Sequence, residues 1–417
     1  MLILTTKFAN RLRVHYRLYS LLRCYARRYL LLLVGICTLL YEFYVVIVFD
    51  YSNHFKLYRL QNRSYSTFSN DSTLSTKLIL YWTTFFGQNE YPNPIKVSGC
   101  PRFNNRCIIS SNKSLISQAD AVFFHAFDVP KGALPSSSTR NPDQVYVYFS
   151  METPSHSGWM LVPANFFNWT ATFVLDSDVI TKYEGHFMKT AEARAKGFKI
   201  RNFDVDERRF VKRNSGILWV VSNCYTPSRR EEAVAELAKY INVTIVGKCA
   251  KDSVNRGLCP RGNDCKSLLE SYPFYIAIEN TVCKNYITEK LMFRLDIPSI
   301  PIVMKRKIYE EENIPPSMFI ALDDFRGPKE LADYLKMLQT NMTAYKKHME
   351  WRQGEWTIVP WHVLGYKPGM CGLCEKLWEP NRTRKSIENI HSHYEKLAAC
   401  EDSNDSFVQN WVSTSIL

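Results

Sequence analysis

The chain of 417 residues is 46% hydrophobic and 14% aromatic, enough apolar surface for a sizeable core and too long for one ordinary domain, so two domains are expected. Sixteen Gly, nineteen Pro and 22% charged residues exclude collagen-like, low-complexity and wholly disordered classes. The formal net charge is +13, but Lys7, Arg11, Arg13, Arg17, Arg23, Arg27 and Arg28 supply seven of these charges within residues 1–28; the diluted remainder suits an acidic small ligand such as a nucleotide, and no nucleic-acid partner is expected.

After this basic tail, Tyr29 to Phe49 is apolar apart from Glu42 and predicts a membrane span, with Tyr29, Tyr41, Tyr44 and Tyr51 as interfacial anchors. The competing reading is a signal peptide over Tyr29 to Leu40, which would have a long basic region and no A-x-A cleavage site after it. An uncleaved anchor with positive charge on its N-terminal side leaves residues 1–28 in the cytosol and places the rest across the membrane. Eight N-x-[ST] acceptors, Asn62, Asn70, Asn112, Asn168, Asn242, Asn341, Asn381 and Asn404, agree with that orientation, as do ten cysteines beyond the span. Cys371 and Cys374 form a CxxC pair, read as structural disulfide cysteines; half of a zinc site or a redox dithiol are the alternatives, and neither a second CxxC nor a well-spaced His pair accompanies them.

Residues 50–76 are polar and aperiodic and read as a stem. Beyond them strands are predicted at Leu78 to Trp82, Ala121 to Phe124, Val145 to Phe149, Ile217 to Val221, Val243 to Val246, Tyr275 to Ile278 and Ile302 to Met304. Helices are predicted at Ser228 to Tyr240, Thr288 to Asp296 and Lys329 to Gln339. This alternation predicts an α/β fold with parallel, doubly wound sheets, and the basic, Gly-poor stretch Lys189 to Asn214 reads as the linker between two of them.

Four strand ends carry candidate chemistry. At the end of AVFFH stands His125, and VYVYFSMETPSH puts Glu152 after a buried strand, where a carboxylate can act as a general base toward a hydroxyl. Asp176 and Asp178 form a D-x-D that a metal reading would use and that turn capping also explains. After ILWVVSNC, Arg229 and Arg230 open a helix and can clamp a diphosphate bidentately; the alternative is a surface arginine. In SYPFYIAIENTVCKNYITEKL an apolar strand ends at Glu279 and Asn280, and Tyr286, Glu289 and Lys290 lead into a helix. Ligands in open α/β sheets bind beyond the carboxyl ends of strands, so Lys290 suits a phosphate, Glu289 a ribose and Tyr286 a phosphate oxygen; a solvated amphipathic helix is the competing reading.

The stretch SYPFYIAIENTVCKNYITEKL is similar to the donor-binding signature of the α1,3/α1,4-fucosyltransferases, and FFNWTATFVLDSDVITKY, VYVYFSMETPSH and ILWVVSNC resemble other blocks of that family in the same order. The resemblance implies a glycosyltransferase-B fold: two Rossmann-like domains facing a cleft, here residues 77–205 on the acceptor side and 206–375 binding GDP-fucose, with 376–417 as a tail. It also implies a Golgi type II membrane protein with a lumenal head. By the same resemblance Glu152 is the base, Arg230 or Arg229 contacts the diphosphate, and Glu279, Asn280, Tyr286, Glu289 and Lys290 hold the donor, while His125, Asp176 and Asp178 lie on the acceptor side. The implied reaction is an inverting displacement that moves fucose from GDP-β-L-fucose to an N-acetylglucosamine hydroxyl of a glycan. No metal is obligatory, although Mn or Mg can stimulate. Val174 and Leu175 stand where the family commonly has basic residues, and Lys182-Tyr183-Glu184-Gly185 replaces a P-Y-G-like sequence. These departures leave a catalytically silent glycan- or nucleotide-sugar-binding protein as the alternative. A transferase of the same fold using another nucleotide sugar is a third reading.

Overall fold

Six short runs rich in β-branched and aromatic residues pair side by side in the first half of the chain: β1 (Lys77–Tyr81), β2 (Cys107–Ser110), β3 (Ala121–His125), β4 (Val145–Ser150), β5 (Trp169–Thr172) and β6 (Val179–Ile180). The computed structural model describes residues 76–88, 106–158, 160–183, 186–198, 214–260, 265–292, 297–353, 355–359, 368–380, 382, 384–401 and 407–414. The expected tail, span and nearly all of the stem lie outside them, as do Asn62, Asn70, Asn381 and Asn404. Among the described residues no helix is long and apolar enough to cross a membrane.

All pairs in this sheet are parallel, in the order β2-β1-β3-β4-β5-β6. Every residue of β3 is buried, as expected for a parallel strand covered on both faces. After β7 (His186–Lys189) comes a second parallel sheet of β8 (Ile217–Val220), β9 (Val243–Val246), β10 (Phe274–Ile276), β11 (Ile300–Val303) and β12 (Ile320–Ala321), in the order β12-β11-β10-β8-β9. The two sheets repeat one winding, with β6 added at the edge of the first. Strand order reverses between β1 and β3 and again between β8 and β10, and ligands enter such sheets beside those reversals, beyond the strands' carboxyl ends. Gly247, at the end of β9, has φ +98°, and a Cβ there would lie 2.8 Å from the Val221 carbonyl, so only glycine lets the ends of β8 and β9 approach this closely.

The predicted strands are all present, Val243–Val246 with the expected bounds and the others with an end moved by one or two residues. The short β2, β5, β6 and β12, which sequence periodicity missed, complete the sheets. The stretch from Lys189 to Asn214 is not simply a linker. β7 pairs antiparallel with β13 (Trp356–Val359), and Thr190–Ala195, with its Ala, Glu and Arg, forms the short helix α1.

Helix α2 (Arg230–Leu237) follows β8, α3 (Glu289–Met292) follows β10, and α4 (Pro328–Thr340) starts with proline in its first turn and buries Leu331, Leu335 and Leu338 as one stripe against the second sheet. The chain then crosses back. In α5 (Pro368–Trp378) Leu373, Cys374 and Leu377 pack with Ile79, Phe123 and Val147 of the first sheet. In α6 (Ile390–Ala398) Ile390, Tyr394 and Ala398, on one face, pack with Tyr148 and Phe167. Helix α7 (Phe407–Ser413) returns Val408 and Trp411 to the core of the second sheet. The described residues of 376–417 are therefore no tail, and the packing does not end at 375, because these apolar faces are buried in both cores.

Disulfides join Cys107 to Cys374, Cys224 to Cys249, Cys259 to Cys265 and Cys283 to Cys400. Cys371 is also disulfide-bonded, so neither cysteine of the CxxC is a free thiol. Of the described glycosylation acceptors, Asn112, Asn242 and Asn341 are exposed. Asn168 is built into the fold: its Oδ1 accepts from Arg140 Nη2 at 2.6 Å and the Tyr146 amide at 2.8 Å, and its Nδ2 donates to the Lys385 carbonyl at 2.8 Å.

Candidate active site

The chain leaves β4 through a turn that fixes Glu152. Its amide donates to Ser150 Oγ at 3.1 Å, and its carbonyl accepts from the Tyr394 hydroxyl of α6 at 2.6 Å. Pro154 starts the next turn, with its φ set in advance. The carboxylate receives two phenols: Tyr183 donates to Oε1 at 2.9 Å and Tyr286 to Oε2 at 3.2 Å. Burial first, and then the Glu152 charge, push the Tyr183 hydroxyl far above the usual tyrosine range; burial likewise raises Tyr286 and Tyr394. All three therefore remain protonated donors.

Beyond β10 the predicted cluster assembles around Glu279. This buried carboxylate accepts from the Thr288 amide at 2.8 Å and hydroxyl at 2.9 Å, and pairs with Lys290 Nζ at 2.8 Å. Burial raises the Glu279 carboxyl, with Lys290 opposing. Burial alone would lower the Lys290 ammonium, but the charges of Glu279 and Glu289 outweigh it and hold it above its ordinary value. Glu289, 3.3 Å from Lys290, keeps a partly exposed side chain; burial pushes its carboxyl up, yet Lys290 and local hydrogen bonds leave it lowered.

Arg230 enters the same crevice from α2. It is buried, donating through Nη1 to the Ile278 carbonyl at 2.8 Å and through Nη2 to the Asn223 carbonyl at 3.2 Å, while its Nε has no acceptor. Desolvation lowers its pKa, opposed by Glu279. The guanidinium and the Lys290 ammonium repel one another, two cations in one crevice whose combined charge can attract an anion. Arg229 is turned away: in the left-handed region at φ +53°, it forms a bidentate pair with Glu232 at 2.7 Å and reaches Gln409 of α7 at 3.0 Å. The β8 and β10 loops are sewn together where Ser228 donates its amide to the Asn280 carbonyl at 3.0 Å and its hydroxyl to the Glu279 carbonyl at 2.7 Å. Asn280 Nδ2 lies 3.5 Å from His156, and its buried Oδ1 has no partner.

The acceptor-side candidates do not converge. His125 is buried at the end of β3, its Nδ1 2.7 Å from Asp128 and its ring against Phe85 and Phe86. Asp176 accepts from Lys284 at 2.6 Å in the open, whereas buried Asp178 accepts from the Thr170 amide at 3.0 Å and pairs with Lys385 at 2.6 Å. Among the described residues no group of three or more His, Cys, Asp or Glu is placed to hold a metal. Tyr183, Tyr394 and Thr288 were not among the sequence candidates, and a tyrosine's local sequence carries no sign of the distant carboxylate it meets. Tyr183 did lie within the flagged Lys182-Tyr183-Glu184-Gly185 stretch.

Residues 74–184 match the family model "Fucosyltransferase, N-terminal", and residues 210–393 match "Glycosyltransferase family 10 (fucosyltransferase) C-term". The chain is 32% identical to alpha-(1,3)-fucosyltransferase fut-1 of Caenorhabditis elegans, over 78% of this chain and 70% of that protein. It is 33% identical to alpha-(1,3)-fucosyltransferase fut-5 of the same organism, over 78% and 85%. Human 4-galactosyl-N-acetylglucosaminide 3-alpha-L-fucosyltransferase FUT6 is 30% identical, over 74% and 80%. A solved alpha1,3-fucosyltransferase with GDP-fucose aligns with a TM-score of 0.41 and 16% identity, covering 80% of this chain and 90% of its own.

Proposed function

This chain belongs to glycosyltransferase family 10, the fucosyltransferases, and we propose that it is an inverting α1,3-fucosyltransferase that moves fucose from GDP-β-L-fucose to an N-acetylglucosamine hydroxyl of a glycan. The observation that carries this reading is the link between Glu152, at the end of β4, and Tyr286, in the loop that also leads to Lys290 and lies beside Arg230. Glu152 takes the proton of the attacking hydroxyl, the hydroxyl oxygen bonds the anomeric carbon, and the bond to GDP breaks with its electron pair on the diphosphate. Arg230 and Lys290 stabilise that developing charge. Tyr286, expected on a phosphate, is on the base in this structure.

The silent alternative is not favoured. Val174 is buried in the core of the first sheet, and the Leu175 amide donates to Asn285 Oδ1 at 3.3 Å, so these two departures do not remove Glu152, Arg230 or Lys290 from the site. In the same reading the fold is of the glycosyltransferase-B type, with a type II anchor at residues 29–49 and a head in the Golgi lumen. The disulfides support an oxidising compartment. A divalent ion is a stimulator at most, since cationic side chains are already available for the diphosphate.

The test is the full chain in detergent with radiolabelled GDP-fucose and a panel of core N-glycan, N-acetyllactosamine and chitobiose acceptors. Label on one acceptor class, lost in Glu152→Gln, supports the reading; GDP binding without transfer to any acceptor returns weight to the silent alternative. Protease protection of the head in sealed microsomes tests the orientation.

A further inference from the structure

Each carboxylate oxygen of Glu152 accepts one phenol: Tyr183 donates to Oε1 and Tyr286 to Oε2. The two phenols arrive by different routes. Tyr286 belongs to the loop after β10. Tyr183 ends an arm, residues 173–183, that is anchored in the first sheet by β6, paired with β5, and reaches loops of the second on either side of that strand. The arm is tied there by the Leu175 amide on Asn285, by Asp176 on Lys284 at 2.6 Å, and by the ion pair of Lys182 with Glu312, whose side chain is only 9% exposed. The Tyr183 and Tyr286 rings then meet edge to face, 6.3 Å apart. A glutamate has three rotatable side-chain bonds, and one phenol that must stay in place restricts all of them, whereas the base needs one oxygen open to the acceptor hydroxyl.

We infer that Tyr183 is a positioning residue for the base, holding Glu152 Oε1 through its buried hydroxyl while Oε2, under the longer bond from Tyr286, is the oxygen that is freed to accept the proton. This inference rests on the reading of Glu152 as base. The arm gives the arrangement a structural reason: β6 holds Tyr183 to the sheet that carries Glu152, and Lys182, the residue before it, ties it to the second half of the chain as well. Other groups face this carboxylate or its two phenols. Tyr394 reaches the Glu152 carbonyl from α6, and Glu279, Glu289 and Arg230 act on the phenols electrostatically from the second sheet's loops. Tyr183 and Tyr286 alone donate to the carboxylate oxygens among the described residues.

The experiment measures initial rates of the full chain, with the best acceptor of the panel above, for Tyr183→Phe in the wild-type and Glu152→Asp backgrounds. Tyr183→Phe keeps the ring and removes only the hydroxyl. Loss of one hydrogen bond to a charged group predicts a fall in kcat of roughly ten- to hundred-fold, with KM for GDP-fucose and for acceptor, and GDP affinity, within about two-fold. In Glu152→Asp, whose carboxylate is drawn back by one methylene, the same substitution is expected to cost less than about two-fold. Lys182→Met, which frees the arm from Glu312 and leaves the hydroxyl in place, is expected to lower kcat in the same direction and serves if Tyr183→Phe does not fold. Unchanged kcat in both variants, or equal losses in the two Glu152 backgrounds, overturns the inference. A fully active Glu152→Gln instead overturns the reading of the base, whereas an inactive Glu152→Gln beside a fully active Tyr183→Phe overturns only the role of Tyr183.

Discussion

Tyr286 and Glu152 lie 134 residues apart in the chain and follow strands of different sheets, yet the tyrosine hydroxyl donates to the carboxylate at 3.2 Å. The hydrogen bond joins the end of β4, in the first sheet, to the loop that follows β10 in the second. The Glu152 carboxylate is thereby joined to the loop that leads to the Lys290 ammonium, although no single stretch of sequence contains both.

Glu152 and Lys290 are expected to separate chemistry from donor binding. Glu152→Gln, which keeps shape and loses basicity, is predicted to reduce transfer by at least about a hundred-fold with GDP affinity within about two-fold. Lys290→Ala removes the ammonium paired with Glu279 and is predicted to weaken GDP binding by about ten-fold or more. Calorimetry with GDP beside the transfer assay checks both, and equal loss of GDP binding in the two variants contradicts the assignment.

The adjacent arginines are predicted to behave differently. Arg230→Lys cannot reach both the Ile278 and Asn223 carbonyls in the fork geometry, so GDP binding and thermal stability fall together. Arg229→Ala loses only a partly exposed pair with Glu232 and a contact to Gln409, worth about 1 kcal/mol or less, and leaves GDP affinity unchanged. Titration of GDP into both variants distinguishes them.

The Cys283–Cys400 disulfide closes a loop of sequence separation 117 between the Tyr286 loop and the end of α6, where the Lys284 amide also donates to the Ala398 carbonyl at 2.9 Å. Replacing both cysteines by serine is predicted to cost about 2–4 kcal/mol of stability, measurable by denaturant unfolding. Because α6 also brings Tyr394 to Glu152, kcat should fall more than GDP affinity in the same variant.

His348 makes stability depend on pH. Its Nδ1 donates to the Ser317 carbonyl at 2.9 Å and its Nε2 accepts from Tyr334 at 2.8 Å, a neutral imidazole, and burial lowers its pKa, with the carbonyl opposing. The unfolded chain, titrating near about 6.5, binds this proton more readily. The contribution is therefore full above the unfolded value and is lost as pH falls through the lower folded value. Melting temperature should drop on acidification through this window, and less steeply in His348→Gln; parallel curves for the two proteins would contradict this.

Much of the architecture is legible in residues close together in sequence. The apolar runs of β3, β4 and β8 mark buried parallel strands and that of β9 a half-buried one, and the clusters at Glu279–Asn280 and Tyr286–Lys290 mark a polar crossing at a strand's end, because hydrophobic period and strand-to-helix punctuation are local properties. The two-residue β6 and β12 carry too few residues to show a period, and exist because longer neighbours offer them hydrogen bonds. Tertiary structure alone decided that Cys374 bonds Cys107, that Arg230 faces the crevice while Arg229 leaves it, that 368–398 packs on the first sheet, and that Tyr183 and Tyr394 hold Glu152. Each of these is a choice among chemically equivalent side chains, and what selects one is distance across the fold, set by how the sheets and returning helices bury their apolar faces.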